Sequence, residues 1–554
     1  MRIFHPTSSK PFALAALLMT TGGATWALSQ HRPIVEPERP TPALPTVRAN
    51  PRQTFSSTTS SLQTTARPSL AQPMLSQPML QPTAKLVALA APLPARTSRT
   101  MRVGLTTMGG PIVLVSSSPM SITDSGQGGR RIVVPAGQNV LFNIGALQIV
   151  QAHGLTFSGN ISVQTGGLSY VGWKVPRVQS SGITRMATEG SNPIGRRGYH
   201  GSFEIAPQTF SFEPSMHKSP LRVVNILTLE QYLDGVVPWE MDKSAPMEAL
   251  KAQAICARSE TLAKIAVNRH TADGFDICDY DHCQGYSGTE NENERTNRAV
   301  DETFGLIITQ NGRVADAVYG TNAGGVTSSS EDVWRGTPEP YLKSVRDFSP
   351  QRHPAMAKLL SGPMTEAKWA KYCTTNLPSF SQPSQEQIRA LAERRRRIAR
   401  TAALFQPGDL PEFYRWTRVL TPAQMAVVLK AAGAVATEVR VLERAPSGHI
   451  KRLQVAGRDP RGAALFATYE KDSQIRAMFS GRLGSTTALP SSTFVVIPRR
   501  DANKKITAWV FKGAGWGHGA GMCQRGAQNH ALDGWSAQRI LQWYFRGVTL
   551  TRVS

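Results

Sequence analysis

The chain is poor in cysteine, aromatics and acids. It has five cysteines, an aromatic share of 7%, and 38 acidic against 62 basic residues in a length of 554. Five is odd, so the thiols cannot all pair internally, and a disulfide-dense scaffold is excluded. The one long apolar stretch is FALAALLMTTGGATWALS at 12–29. Nothing after it has the length to span a bilayer, which excludes a polytopic membrane protein. No GxxxxGK[ST] phosphate loop is present. Aromatics are sparse, no nucleic-acid motif occurs, and the basic residues are scattered apart from RRRRIAR at 394–400, read as a solvated helix face. These features argue against a nucleic-acid partner. The net charge of +24 fits a polyanionic setting instead, an anionic membrane or an acidic envelope polymer.

Arg2 and Lys10 precede the apolar stretch, and Ala27 and Ser29 suit cleavage before Gln30. Residues 1–29 therefore read as a signal peptide, with export to periplasm, envelope or exterior; N-terminal membrane anchoring is the alternative. Residues 30–97, rich in Pro, Ser, Thr and Gln, read as a disordered tether. From 98 to 194 short apolar runs between Gly, Pro and Ser-rich turns predict a β-rich region. Residues 195–350 mix strands and helices, 351–440 read as a basic, mostly helical insertion, and 441–554 return to the mixed pattern. The fold class is α+β, strands and helices around a cleft. Within it, Pro246 opens a helix over 246–269, Asn311-Gly312 and Ser447-Gly448 turn hairpins, and Ser536 caps a final helix running to about Phe545.

Two stretches carry chemistry. In VVPWEMDKSAPMEALKAQAICARSETLAK, 236–264, Glu240 ends an apolar run just before a helix, and Lys251 and Arg258 are seven residues apart on one helix face. Glu240 is either a plain acid near a helix start or a carboxyl among apolar neighbours, where proton transfer is favoured. A glycosidase of the usual kind needs two carboxylates at a defined separation; Asp234 and Asp242 look peripheral, which leaves one. In HTADGFDICDYDHCQGY, 270–286, His270, Cys278, His282 and Cys283 make up two imidazoles and two thiols, an inventory suited to a closed, structural tetrahedral zinc. A Cys278–Cys283 disulfide is the rival in an oxidising compartment, and unpaired thiols are the third reading. Cys256 and Cys523 form a further candidate pair. The loop GWGHGAGMCQRGA permits close backbone approach.

The 236–264 segment resembles the signature of the SpoIID/LytB family. LRVVNILTLEQYLDGVVPWEM (221–241), CQGYSGTENENERTNRAVDETFGLIITQNGRVADAVYGTNAGGVTSSSEDVWRGTPEPYLKSV (283–345) and GAGWGHGAGMCQRGAQNHALDGWSAQRILQWYFRGVTL (513–550) resemble its other blocks in the same order. The resemblance implies lytic transglycosylase chemistry on peptidoglycan glycan strands stripped of stem peptides. Alternatively, it implies non-catalytic enhancement of a cell-wall amidase. It places Glu240 on the catalytic position and Lys251 and Arg258 on helix positions that contact the site. Gln284, Tyr286, Tyr319, Thr327, His518 and Gln524 become expected substrate contacts, and some relatives carry zinc at similarly placed His and Cys.

Overall fold

A computed structural model of the chain describes residues 99–553 except 106–111, 127–128, 145–149, 153, 158, 175–193, 209–220, 281, 335, 385–412 and 480–488. The leader at 1–29, the tether at 30–97 and the basic run at 394–400 lie outside the described residues.

Alternating burial along short runs makes a seven-stranded sheet. Its third strand, Leu221–Thr228, pairs antiparallel with Ser202–Pro207 on one side and with β1 (Thr100–Gly104) on the other. β1 in turn pairs parallel with Ile277–Cys278, setting Gly104 opposite Cys278. A second, six-stranded sheet contains Ile112–Ser116 and Ser169–Lys174. Buried residues of both sheets, from Met101 to Val171, join one core cluster with those of the helices that follow. The expected boundary near 194 therefore crosses a continuous sheet and a shared core.

Thr228 starts α1 (Leu229–Glu240) with a capping box: its hydroxyl accepts the Gln231 N–H, and the Gln231 side chain accepts the Thr228 N–H at 3.1 Å. Leu229, Tyr232, Leu233, Val236 and Val237 face the core at helical spacing. Each such burial is worth about 1.5–3 kcal/mol against exposure. Glu240 is thus the last residue of a helix, where an apolar run before a helix was expected. Pro238 sits in the final turn, and Met241 is already extended. After a short turn comes α2 (Met247–Ala266), its middle buried nearly all round; small Ala252, Ala254 and Ala257 allow its neighbours to approach closely. α3 (Glu294–Glu302) packs beside it, followed by the hairpin Leu306–Gln310/Arg313–Val314, whose turn residues Asn311 and Gly312 have φ of 51° and 75°.

The C-terminal segment returns to this body. Met522–Cys523 pairs parallel with Tyr319–Gly320, and Thr549–Arg552 pairs with Leu306–Gln310. Between them a second core, Phe413 to Phe511, is built on two three-stranded sheets. The described residues of 351–440 mix helix and strand, where a mostly helical stretch was expected. Pro354–Leu359, Glu366–Thr374 and Pro422–Ala426 are helical, but Trp416–Leu420 is a strand and Val435–Arg444 begins the hairpin that turns at Gly448.

Candidate active site

Glu240 lies partly exposed at the C-terminal end of α1, the end that a carboxylate finds electrostatically unfavourable. Its Oε1 accepts the Gly285 N–H at 3.0 Å. Gly285 is required for that approach, because a Cβ there would lie 1.8 Å from Nε1 of Trp239. The helix end is tied down separately. Gln524 Nε2 donates to the Glu240 carbonyl at 3.1 Å and to Gln253 Oε1 at 3.2 Å, so the segment after the Gly-rich loop grips the residue that carries the acid.

Tyr319 comes from the short strand paired with Met522. Its phenol is buried and has no hydrogen-bond partner among the described residues. Burial, followed by the charges of Glu240 and Glu260, pushes its ionisation well above the ordinary phenol range, so it is a neutral donor. His518, hydrogen-bonded to the Tyr319 backbone, is held below its usual pKa chiefly by burial and is neutral at pH 7. Its Nδ1 accepts the Ala520 N–H at 3.1 Å, and its ring centroid lies 5.2 Å from that of Trp334, which is 47% exposed. Among the expected residues, Gln524 bonds the Glu240 carbonyl, Tyr319 lies within the reach of the Glu240 charge, and His518 adjoins Tyr319.

The other expected contacts are engaged elsewhere. Arg258 is fully buried. It makes a two-pronged pair with Glu230, at 2.9 and 2.6 Å, and donates to the Leu306 and Val300 carbonyls. It locks α1, α2 and α3 together instead of facing a ligand. Lys251 shares that helix but pairs with Glu248 and Glu302 at 2.9 and 2.7 Å; these bonds outweigh burial and raise its pKa. Gln284 is saturated, accepting from Tyr232 and Thr261 and donating to Ala257 O and Glu260. Tyr286 donates to Asn225 at 2.9 Å and packs on Tyr199 and Tyr232. Thr327, 1% exposed, accepts the Val345 N–H. Each is a structural contact in the fold. Asp242 accepts the Ser244 N–H and hydroxyl in its own turn.

His270, Cys278, His282 and Cys283 come together with their ligand atoms all within 4.8 Å of one another. Cys283 Sγ lies 3.4 Å from His270 Nε2, Cys278 Sγ 3.6 Å from His282 Nδ1, and Cys283 Sγ 3.9 Å from the same Nδ1. The edges of a tetrahedral S₂N₂ zinc site are about 3.3–3.8 Å, so the four donors fit that ion. His270 Nδ1 faces Asp273 at 2.8 Å, which leaves Nε2 as the free ligand atom. The hydrogen bond from Cys278, ahead of those from the histidines and the charge of Lys264, holds the Cys283 thiol far below its ordinary range, and the same hydrogen bond with burial pushes Cys278 up. No cysteine is bonded to another. Cys256 and Cys523 do not pair: Cys256 sits against Met522 Sδ at 3.9 Å, and Cys523 caps the helix Gln524–Leu532 through the Gly526 N–H.

Reading the sequence missed Glu260 and Lys264, a buried i,i+4 pair at 2.6 Å on α2. The signal was there: two opposite charges at helical spacing in an alanine-rich segment. Trp334 was missed as well.

These features define an α+β domain built around a helix-end carboxylate, and that domain matches a known family. Residues 217–310 match the family model for Stage II sporulation protein (SpoIID), and residues 328–521 match a domain of unknown function, DUF8618. The 217–310 segment thus carries a SpoIID-type domain, and the chain is similar to members of the SpoIID/LytB family. It is similar to the amidase enhancer of Bacillus subtilis, 26% identical over 328 residues, 58% of this chain and 40% of that protein. An uncharacterised protein of Brachyspira hyodysenteriae is 36% identical over 147 residues, 26% of this chain and 37% of that protein. Stage II sporulation protein D of Bacillus amyloliquefaciens is 27% identical over 218 residues, 35% of this chain and 59% of that protein. In each case the matched part is less than two thirds of the relative's own length. No helix among the described residues is long and apolar enough to cross a membrane.

Proposed function

We propose that the chain is an exported lytic transglycosylase that cleaves peptide-stripped peptidoglycan glycan strands, with Glu240 as its only acid/base. The observation that carries this reading is the Glu240 carboxyl itself: partly exposed, oriented by the Gly285 N–H, and near enough to the neutral Tyr319 phenol for its charge to raise that group's ionisation. The protonated acid gives its proton to the glycosidic oxygen as the bond to the anomeric carbon breaks. The resulting carboxylate takes the proton of the sugar's own 6-hydroxyl, whose oxygen bonds to that carbon. The product is an anhydro end, no water is consumed, and Glu240 is regenerated. In this reading Tyr319 lines the site as a neutral phenol, and Trp334 offers an exposed face for a sugar ring.

The His270, Cys278, His282 and Cys283 set holds zinc in this reading. Four protein ligands leave no open position, so the ion supplies rigidity to the 270–285 segment and no chemistry.

The test is digestion of purified, peptide-free glycan strands. Glu240→Gln is expected to lower the cleavage rate by at least about 100-fold, the span of general acid–base catalysis. Equal rates for variant and wild type would remove Glu240 from the mechanism. A second reading, enhancement of an N-acetylmuramoyl-L-alanine amidase, is favoured by the relative named amidase enhancer, which aligns over 328 residues. It predicts that Glu240→Gln still stimulates an added amidase on intact sacculi.

A further inference from the structure

Three consecutive residues lead from the metal-ligand cluster to the candidate acid, and each is anchored once or more. The Cys283 carbonyl accepts Lys264 Nζ at 2.5 Å. The Gln284 amide donates to Glu260 Oε2 at 2.8 Å, while its oxygen accepts Thr261 and Tyr232. Gly285 gives its N–H to Glu240. Glu260 and Lys264 hold each other at 2.6 Å, 7% and 6% exposed. A buried ion pair is a poor stabiliser, since desolvation consumes much of its attraction, and an apolar pair of the same size commonly does as well. The pair is buried, with under a tenth of either residue exposed. Its hydrogen bonds to other residues converge on the single segment that sets the orientation of the Glu240 carboxylate.

We infer that Glu260 and Lys264 are positioning residues for Glu240, a clamp on Cys283–Gln284–Gly285 that sets the Gly285 N–H against the acid. The inference rests on the transglycosylase reading for its kinetic consequence but not for its structural one. Trp239, whose indole lies on Gly285, reports the segment directly. The electrostatic reach of Glu260 to Tyr319 and His518 agrees with a place just behind the site.

The test uses the full chain labelled with fluorotryptophan, the Trp239 fluorine resonance being assigned with Trp239→Phe. Two variants are compared with wild type: Glu260→Gln, which keeps the size and an acceptor, and Glu260→Gln/Lys264→Met, which removes both charges and leaves neither orphaned. The double variant is expected to shift the Trp239 resonance while the other tryptophan lines stay in place. It is also expected to lower kcat by about 10- to 100-fold with KM within about twofold, the pattern of a misplaced catalytic group. Glu260→Gln is expected to fall between. An unmoved Trp239 line in both variants would overturn the clamp, and so would a uniform collapse of all tryptophan lines in the double variant with Glu260→Gln unchanged from wild type. If wild type cleaves no glycan, the transglycosylase reading fails while the Trp239 resonance still decides the clamp.

Discussion

Two residues of the same helix show why a charge in a signature segment is not a site. Lys251 and Arg258 share a face of α2 as their spacing predicts, yet both are engaged by carboxylates of the fold. Arg258 is fully buried, so its truncation leaves Glu230 as an unpaired buried charge. Arg258→Ala is expected to cost about 3–5 kcal/mol in chemical denaturation, and Glu230→Met/Arg258→Met to regain most of it. A loss under about 1 kcal/mol from the single variant would contradict the structural role. His449 carries a pH-dependent part of stability. It is 2% exposed, and burial lowers its pKa from 6.5 to about 4. The folded-state value is depressed, so the unfolded chain binds the extra proton between these values. The contribution of His449 is therefore fully present above about 6.5 and is lost as pH falls towards about 4, on the order of 3 kcal/mol in all. Denaturation midpoints measured across this range should fall in wild type and flatten in His449→Gln.

At the scale of elements, periodicity and caps made α2, the Asn311-Gly312 hairpin and the Ser536-capped final helix legible. Glu240's local structure was not. Val236, Val237 and Pro238 disfavour a helix intrinsically, but the Thr228 capping box and the burial of both valines carry α1 through them. The strand at 416–420 was hidden for a similar reason, whereas that at 435–444 was legible as the first arm of the Ser447-Gly448 hairpin. Their pairing partners, 506–513 and 450–458, lie in the sheets of the second core, and only the first of the two pairings is distant in sequence. The inward direction of Glu260 and Lys264 could not be read from an alanine-rich helix that is buried nearly all round. One element-level consequence is sharp. Gly285→Ala places a methyl on the Trp239 indole and is expected to lower glycan cleavage by about 100-fold. Wild-type rates in that variant would show that the Gly285 N–H does not orient the acid.

At the scale of the molecule, the SpoIID-type body is closed by its own C-terminal segment. Thr549–Arg552 pairs with Leu306–Gln310, and Gln524 holds the end of α1, so the second core is inserted between two halves of one domain. One residue of the 270–283 cluster, Cys278, lies on the strand paired with β1, so the cluster's occupancy bears on that edge of the sheet. Purified protein is expected to carry one zinc per chain by elemental analysis and to lose thermal stability on chelation. Cys278→Ser should lose the metal as well, and a metal-free protein of unchanged stability would refute the zinc reading. The central claim is that Glu240 alone moves the protons and that the sugar, not water, takes up the broken bond. The measurement that tests it most directly is mass spectrometry of new glycan ends formed in ¹⁸O-water. The account predicts anhydro ends with no ¹⁸O from wild type and none from Glu240→Gln. Reducing ends carrying ¹⁸O would mean hydrolysis and a second catalytic carboxylate, and would contradict it.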